Sequence, residues 1–320
     1  MGSTAMASRA AVGEAISPAG RDEGRKPCLR HLILLVLLIA AWGISWPTIK
    51  LGVAAAPPLW YACFRYWIAT VCMFAFVAAR QQIAFPPRSD WPLVAVSGVL
   101  QMAAYSALTG LALTILPPGR ASVLAFSTPI WVVLLAAWWL REQHSRRALL
   151  GVGLGILGAL TIAGPSLRPG RVEQLFAYAM LLGAAAWAIS IIVVRAHRFT
   201  ASALALAPWQ MLVAGCVLPP VAMLIEGAPQ PIAVSGVASL AYVGPIATAF
   251  AYWAVVEVGR GIRASTMSMA LLAAPCLGIL ISAVTLGETV GASLIAGVVL
   301  VGAGIRLVTA ASPRDRVPQR

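Results

Sequence analysis

The chain has 320 residues, of which 60% are hydrophobic and only 10% are charged, and its mean hydropathy is +0.88. A soluble domain carries roughly 25% charged residues, so this composition excludes a soluble globular protein and indicates a membrane protein. The net charge of +13 does not indicate a nucleic-acid partner, because the basic residues lie between apolar segments in a pattern that alternates from one side to the other.

Ten apolar segments follow one another along the chain, and each is about 20 residues or longer. That is the length a helix needs to cross a hydrocarbon core of about 30 Å. We place them at residues 31–54, 57–79, 91–115, 119–140, 147–166, 175–196, 201–225, 234–258, 263–286 and 290–311. The first segment is interpreted as an uncleaved anchor.

The ten segments divide into two halves that carry the same landmarks in the same order. A tryptophan, a proline and a glutamate recur after 145 or 146 residues. These landmarks are Trp42, Pro129 and Glu142 in the first half and Trp187, Pro275 and Glu288 in the second. Because each half has an odd number of segments, the two copies insert in opposite orientations. The sequence therefore predicts an all-α membrane protein with ten transmembrane helices in two inverted five-helix repeats.

The positive charges predict the orientation and the extent of each repeat. Eighteen Lys and Arg residues lie on the side of the N-terminus and four on the other side, which places both termini in the cytoplasm. The predicted organisation is a cytoplasmic tail at 1–30, a first five-helix repeat at 31–166, a second at 175–311 and a cytoplasmic tail at 312–320. The chain has no Asn and so no N-glycosylation signal, which fits a bacterial inner membrane.

Motifs for enzymatic or nucleotide chemistry are not found. The run from Gly153 to Gly158 matches GxGxxG, but no strand precedes it, so we interpret its glycines as helix-packing residues. There is no P-loop, HExxH or GxSxG, and the histidines and cysteines lack metal-ligand spacing. The sequence predicts no catalytic residues, no metal and no cofactor.

Arg65 is the one charge well inside an apolar segment. An intramembrane arginine is a candidate functional residue by default. The alternative is structural, with Arg65 bonding carbonyls freed by a kink such as one at Pro47. The equivalent residue in the second half is Gln210, also a multiple donor, which favours a structural or gating role. Because no Asp lies in any apolar segment and no Glu or His lies at mid-segment, proton coupling is not supported.

Polar and aromatic residues recur at helical spacing on six of the ten segments, which indicates the wall of a cavity. The predicted substrate-binding residues are Trp42, Trp46, Gln101, Tyr105, Trp187, Tyr252, Ser265 and Ser268. Two further residues, Pro129 and Pro275, lie inside segments four and nine. Prolines remove a backbone donor and kink a helix, so we expect them to widen this cavity and assign them a structural or gating role.

Several of these residues resemble an EamA domain, once in each half. They are Trp42, Pro47, Lys50, Arg65 and Pro129 to Glu142 in the first half, and Trp187 and Pro275 to Glu288 in the second. Over residues 31–311 the chain resembles the drug/metabolite transporter superfamily, and within it the aromatic amino-acid exporters (YddG-like) of bacterial inner membranes. The resemblance implies a substrate path between the halves, lined mainly by segments one, three, four, six, eight and nine. The second half departs from the pattern at two positions. Ile192 is the equivalent of Pro47, and Gln210 is the equivalent of Arg65.

The sequence thus predicts an inner-membrane transporter of small organic metabolites, an amino-acid exporter or facilitator with broad selectivity that works by alternating access. Efflux of aromatic cationic drugs is an alternative, because Trp and Tyr faces bind cations. Exchange of phosphorylated metabolites would need several basic groups in the cavity, and only Arg65 and Lys50 are candidates. A membrane enzyme lacks a nucleophile–base pair or metal cluster in this sequence, and a scaffold is disfavoured by the polar residues.

Overall fold

The computed structural model describes residues 29–141, 145–163, 172–197, 199–262, 267 and 270–311. Helices lie at all ten positions where the sequence predicts apolar segments. They are α1 (Leu29–Ala55), α2 (Pro58–Ala79), α3 (Trp91–Ile115), α4 (Pro118–Trp139), α5 (Arg146–Ala163), α6 (Val172–His197), α7 (Ala203–Glu226), α8 (Val234–Gly261), α9 (Ala273–Leu286) and α10 (Ala292–Ala311). The prediction of an all-α fold is confirmed.

The outer surface of the bundle is apolar. Seven helices, α1 to α4 and α6 to α8, are long and apolar enough to cross a membrane, and α9 and α10 are shorter apolar helices within the part described. Large side chains such as Val36, Trp138 and Leu224 remain exposed on outward faces. Helices that are apolar on all sides are typical of membrane spans, so the chain is a multi-pass membrane protein.

Helix packing follows the predicted inverted repeat. In the first repeat α1 packs against α8 and α9, and in the second α6 packs against α3 and α4. These are the same contacts with the repeats exchanged, because α6, α3 and α4 are the equivalents of α1, α8 and α9. The four helices not yet mentioned form two pairs, α2 with α7 and α5 with α10. Each of these pairs joins a helix to its own equivalent in the other repeat.

Glycines bring α5 and α10 into backbone contact. A Cβ added at Gly158 would lie 2.8 Å from the Val301 nitrogen and 2.9 Å from the Gly297 oxygen. One added at Gly304 would lie 2.5 Å from the Gly151 oxygen. This agrees with the interpretation of the GxGxxG run as helix-packing residues, since small residues allow membrane helices to approach closely.

Two carboxylates bond the first turns or preceding residues of α2 and α7, each across the boundary between the repeats: Glu226 at α2 and Asp90 at α7. Glu226, the last residue of α7, accepts hydrogen bonds from the Leu59 and Trp60 amides in the first turn of α2, at 2.9 and 3.1 Å. At the other end Asp90, just before α3, accepts from the amides of Thr200 and Ala201 at 3.0 and 2.9 Å, just before α7. A helix N-terminus favours a negative charge, so each bond stabilises the helix it meets.

Both α3 and α8 contain a wide turn that the sequence analysis did not predict. Residues Ser97–Ala104 in α3 and Val243–Phe250 in α8 form π-helix, again 146 residues apart. Gly98 and Gly244 hold equivalent positions in these turns and approach the backbone of the other repeat. An added Cβ would lie 2.7 Å from the Gln210 oxygen at Gly98 and 3.4 Å from the Arg65 oxygen at Gly244. π-Helical turns are rare and occur often at functional sites.

The two prolines assigned a gating role begin new helical segments. α4 is interrupted at Phe126–Ser127, and Pro129 is the second residue of the segment Thr128–Trp139. Pro275 is the third residue of Ala273–Leu286. Each proline therefore lies in the first turn after an interruption, where it removes no intrahelical hydrogen bond, and its structural or gating role stays a prediction.

The hydrophobic core is continuous at one end of the bundle and divided at the other. The largest cluster joins both repeats where α1 and α3 end and α2 and α4 begin, and it includes Trp46, Tyr61, Leu116, Leu124 and Val243. At the opposite end, separate clusters hold α1 to α8 and α4 to α5. A further cluster joins α2 to α7 along their length, from Leu59 to Val77, so the two repeats are also packed together away from the end that the charge pattern places outside the cell.

Candidate functional site

An aromatic pair joins α3 to α6. Tyr105 follows the wide turn of α3 directly, and its ring meets the ring of Trp187 edge to face, with centroids 4.8 Å apart. One turn further along α6, the Ser190 hydroxyl donates to the Gln101 side-chain oxygen at 3.4 Å. Three of the predicted site residues, Gln101, Tyr105 and Trp187, are thereby brought to one interface between the two repeats.

The two tryptophans of α1 lie on the symmetry-related interface. Trp46 is buried, and it faces Gly278 of α9, where an added Cβ would lie 3.3 Å from the indole. Trp42 is half-buried and packs with Leu38, Ala251 and Ala254, between α1 and α8. The structure thus places Trp42 and Trp46 beside α8 and α9, while Tyr105 and Trp187 lie between α3 and α6.

Tyr252 forms a third group, with α7. Its hydroxyl donates to the Gln210 side-chain oxygen at 2.8 Å. Its ring packs against the buried residues that hold α2 to α7. The predicted wall therefore consists of three groups of side chains at three helix interfaces. Ser265 and Ser268 lie outside the residues that the structure describes.

Arg65 bonds a different partner from the one expected. Its Nε donates to the Thr248 hydroxyl oxygen at 2.8 Å, across the interface between α2 and α8. The Thr248 hydroxyl in turn donates to the Val243 carbonyl at 2.8 Å, five residues back in the wide turn. The expected bond to carbonyls near a kink at Pro47 is therefore wrong. Arg65 joins the two repeats, whereas Gln210 bonds a helix of its own repeat.

Further polar contacts between helices lie at the end of the bundle that the charge pattern places outside the cell. The Lys50 ammonium donates to the carbonyls of Thr114 and Leu116 at the end of α3, at 3.2 and 3.4 Å. Glu288, just beyond α9, accepts from the Gly119 amide in the first turn of α4 at 3.4 Å. Burial raises the pKa of the Glu288 carboxyl above its usual value, although the Gly119 amide and the nearby cations oppose that shift.

A buried hydroxyl chain at the same end links three helices. The hydroxyls of Tyr61 in α2 and Ser239 in α8 are 2.6 Å apart, and Ser239 donates to the Thr48 carbonyl of α1 at 2.6 Å. The sequence analysis did not single out Tyr61 or Ser239. The pair Gly98 and Gly244, 146 residues apart, is the signal that could have indicated a special feature in α3 and α8.

The described residues offer no alternative centre for metal chemistry. Among them, no group of three or more His, Cys, Asp or Glu side chains is placed to hold a metal ion. Arg65 is the cation deepest in the described helices, because the other described carboxylates and cations lie near helix ends. The arrangement suits a small solute that is held by aromatic faces and a few polar groups.

Comparisons with known proteins identify the same duplicated unit. The profile of the EamA-like transporter family matches residues 29–164 and again residues 175–310. The chain is 27% identical to a "Probable amino-acid metabolite efflux pump" of Salmonella typhimurium, over 85% of this chain and 92% of that protein. It is 28% identical to a "Probable terminal-alkyne amino-acid exporter" of Streptantibioticus cattleyicolor, over 86% and 91%.

Two further matches extend the similarity over almost the whole chain. The chain is 24% identical to the uncharacterized transporter YoaV of Bacillus subtilis, over 89% of this chain and 98% of that protein. A solved crystal structure superposes with a TM-score of 0.63 over 89% of this chain and 99% of its own, at 20% sequence identity. That structure shares the fold.

Proposed function

The chain belongs to the EamA-like transporter family, and from this premise we propose that it exports amino acids or closely similar metabolites across a bacterial inner membrane. Its family and relatives are named as transporters and exporters, so the prediction of a transporter rather than an enzyme is confirmed. One relative is named for amino-acid metabolite efflux and another for export of a terminal-alkyne amino acid. We assign amino acids, including the aromatic ones, as the class of exported substrate.

The contact between Tyr105 and Trp187 carries the proposal for the site. It lies between α3 and α6, where the two repeats meet, and its rings are 4.8 Å apart. Aromatic faces provide a large contact area for a small solute, and Gln101 is close enough to orient polar groups. We place the substrate between the repeats, beside these residues and the tryptophans of α1. Ser265 and Ser268 remain part of the proposed wall.

Alternating access between the repeats is the proposed mechanism. The continuous core and the contacts of Lys50 and Glu288 lie at the end that the charge pattern places outside. They support a state that is closed to the outside, in which an exporter would load substrate from the cytoplasm. Transport then needs these outer contacts to separate while the divided clusters at the inner end come together.

Reconstitution tests the function directly. We expect proteoliposomes to carry labelled aromatic and branched-chain amino acids down an imposed gradient, and expect Trp187→Ala to slow this flux. A parallel assay with a cationic aromatic dye tests drug efflux, which the positive charge of Arg65 disfavours. Dye transport without amino-acid transport would refute the proposal. A C-terminal phosphatase or fluorescent-protein fusion tests the cytoplasmic location of both termini, and high phosphatase activity would reverse the orientation.

A further inference from the structure

Arg65 is a cation held inside the membrane without an anionic partner. Five carboxylates lie among the described residues, namely Asp90, Glu173, Glu226, Glu257 and Glu288. In that part of the chain none of them is bonded to Arg65: Asp90 and Glu226 join helix ends, and Glu257 pairs with Arg30 and Arg260. An intramembrane charge is costly unless it is paired. An anion that is not one of these side chains, such as an anionic group of a bound solute, would therefore be stabilised beside Arg65.

One edge of the guanidinium is fixed and the other is open. Nε is the nitrogen that bonds Thr248, and in the described structure the two terminal nitrogens bond no other side chain. Arg65 is half-buried, and its terminal nitrogens are not among the described polar atoms that are fully buried without a hydrogen-bond partner. Two parallel N–H groups at the end of a fixed guanidinium match the two oxygens of a carboxylate.

The open edge lies close to the proposed substrate site. Arg65 is the eighth residue of α2, about 10 Å along the helix from its outer end. Its guanidinium carbon lies 5.6 Å from the centroid of the Tyr66 ring, and the Tyr66 hydroxyl is 3.0 Å from the Ser106 hydroxyl of α3. Ser106 is next to Tyr105, which is half of the aromatic pair between α3 and α6. An anionic group on Arg65 would therefore be held near the faces that bind the rest of the molecule.

We propose that Arg65 binds the carboxylate of the transported substrate through its two terminal nitrogens, and that Thr248 is the positioning residue that aims them. This inference rests on the proposed function and names its substrate class, a small solute with one carboxylate. A phosphate dianion would need a second cation, and Lys50 is already bonded to carbonyls at the end of α3. The wide turn of α8 supplies the Val243 carbonyl that orients the Thr248 hydroxyl.

The test compares three probes that differ in one group each. L-Phenylalanine carries the carboxylate and the amine, L-phenylalaninamide lacks the carboxylate, and phenylpyruvate keeps the carboxylate but lacks the amine. Binding to the purified full chain is measured by ligand-dependent thermal shift and by competition with labelled L-phenylalanine. We expect wild type to prefer L-phenylalanine over its amide by about 10- to 100-fold, the effect of a charge-assisted hydrogen-bonded pair.

Variants at Arg65 and Thr248 separate this role from a merely structural one. In Arg65→Gln we expect the preference for carboxylate over amide to fall to about 1- to 3-fold, while the amide binds as it does to wild type. Thr248→Val should reduce the same preference severalfold, because the guanidinium is no longer aimed. The matched controls are Arg80→Gln at the end of α2 and Thr70→Val, a buried threonine without a hydrogen-bond partner in the described structure. Both controls should keep the wild-type preference.

The outcomes distinguish the two proposals. Equal binding of L-phenylalanine and its amide by wild type would overturn the role of Arg65 and leave amino-acid transport standing. Retained preference in a folded Arg65→Gln would overturn it as well. Binding of phenylpyruvate but not of amino acids, lost in Arg65→Gln, would support the carboxylate site and contradict amino-acid export. If Arg65→Gln does not fold, the Thr248→Val preference decides, and an unchanged preference there counts against the proposal.

Discussion

Replacing Gly158 by alanine is expected to destabilise the protein, whereas the same change at Gly153 on the same helix should not. A Cβ at Gly158 would lie 2.8 Å from the Val301 nitrogen and 2.9 Å from the Gly297 oxygen, both backbone atoms of α10. At Gly153 a Cβ would meet nothing within 4 Å. The two substitutions therefore share the helix and the residue type and differ in the neighbour that the methyl group meets.

The size of the effect follows from these distances. Ordinary Cβ contacts begin at 3.4 Å, so α10 must move by about 0.6 Å to accept the methyl group of Gly158→Ala. A gap of that size loses about a quarter to a half of each dispersion contact along the helix pair. Alanine gains about 1 kcal/mol in helix propensity at both positions. That gain cancels in the comparison, which leaves a difference of about 1–3 kcal/mol from overpacking.

Thermal unfolding measures the difference. The protein is solubilised in detergent as a fluorescent fusion, heated, and followed by the folded fraction that survives size-exclusion chromatography. We expect Gly158→Ala to unfold at a lower temperature than wild type, and Gly153→Ala to unfold at the wild-type temperature or slightly above it. Equal midpoints for the two variants would refute the argument that backbone contact sets the spacing of α5 and α10.

Three further predictions concern selectivity, pH and coupling. Trp187→Ala should change the ranking among amino acids in a transport assay more than it changes the unfolding temperature, because it removes one ring of the contact with Tyr105, worth about 0.5–1.5 kcal/mol; equal flux and ranking would move the site elsewhere. Burial raises the pKa of Asp90, but hydrogen bonds from Thr200 and Ala201 outweigh it and lower that pKa below its unfolded value. Asp90→Asn should therefore cost stability at pH 7, and its difference from wild type should shrink as the pH falls below about 4. Transport should run down the substrate gradient without a proton gradient; concentrative proton-driven transport would contradict this and make Glu288 the first residue to replace.

The fold could be predicted from the sequence because its signals are local. Long apolar runs indicate the helices, and the pairs Trp42 with Trp187 and Pro129 with Pro275 indicate the duplication. The side-chain partners could not be predicted in the same way. The partner of Arg65, Thr248, is 183 residues away, and only the packing of α2 on α8 brings the two together.

The wide turns are a feature of the backbone that the sequence analysis likewise did not predict. Ser97–Ala104 has a composition that suits an ordinary helix apart from Gly98, and Val243–Phe250 contains Gly244 and Pro245, but none of these residues specifies a change of hydrogen-bond register. Equally, the spacing of Tyr252 predicted that it lies on the cavity side of its helix, while its hydroxyl bonds Gln210 of α7. The direction of a side chain on a helix surrounded by other helices depends on which neighbour offers a partner.

The bond between Glu226 of α7 and the first turn of α2 has a consequence for biosynthesis. The amides of Leu59 and Trp60 need Glu226, which leaves the ribosome more than 160 residues later. Until Glu226 has been synthesised, these two amides lack their acceptor. A chain that is truncated after the first repeat never provides it. The halves are therefore expected to be poor candidates for separate expression, and co-expressed halves should be recovered only together. Each repeat therefore completes a helix end of the other, and we expect the two repeats to fold as one unit.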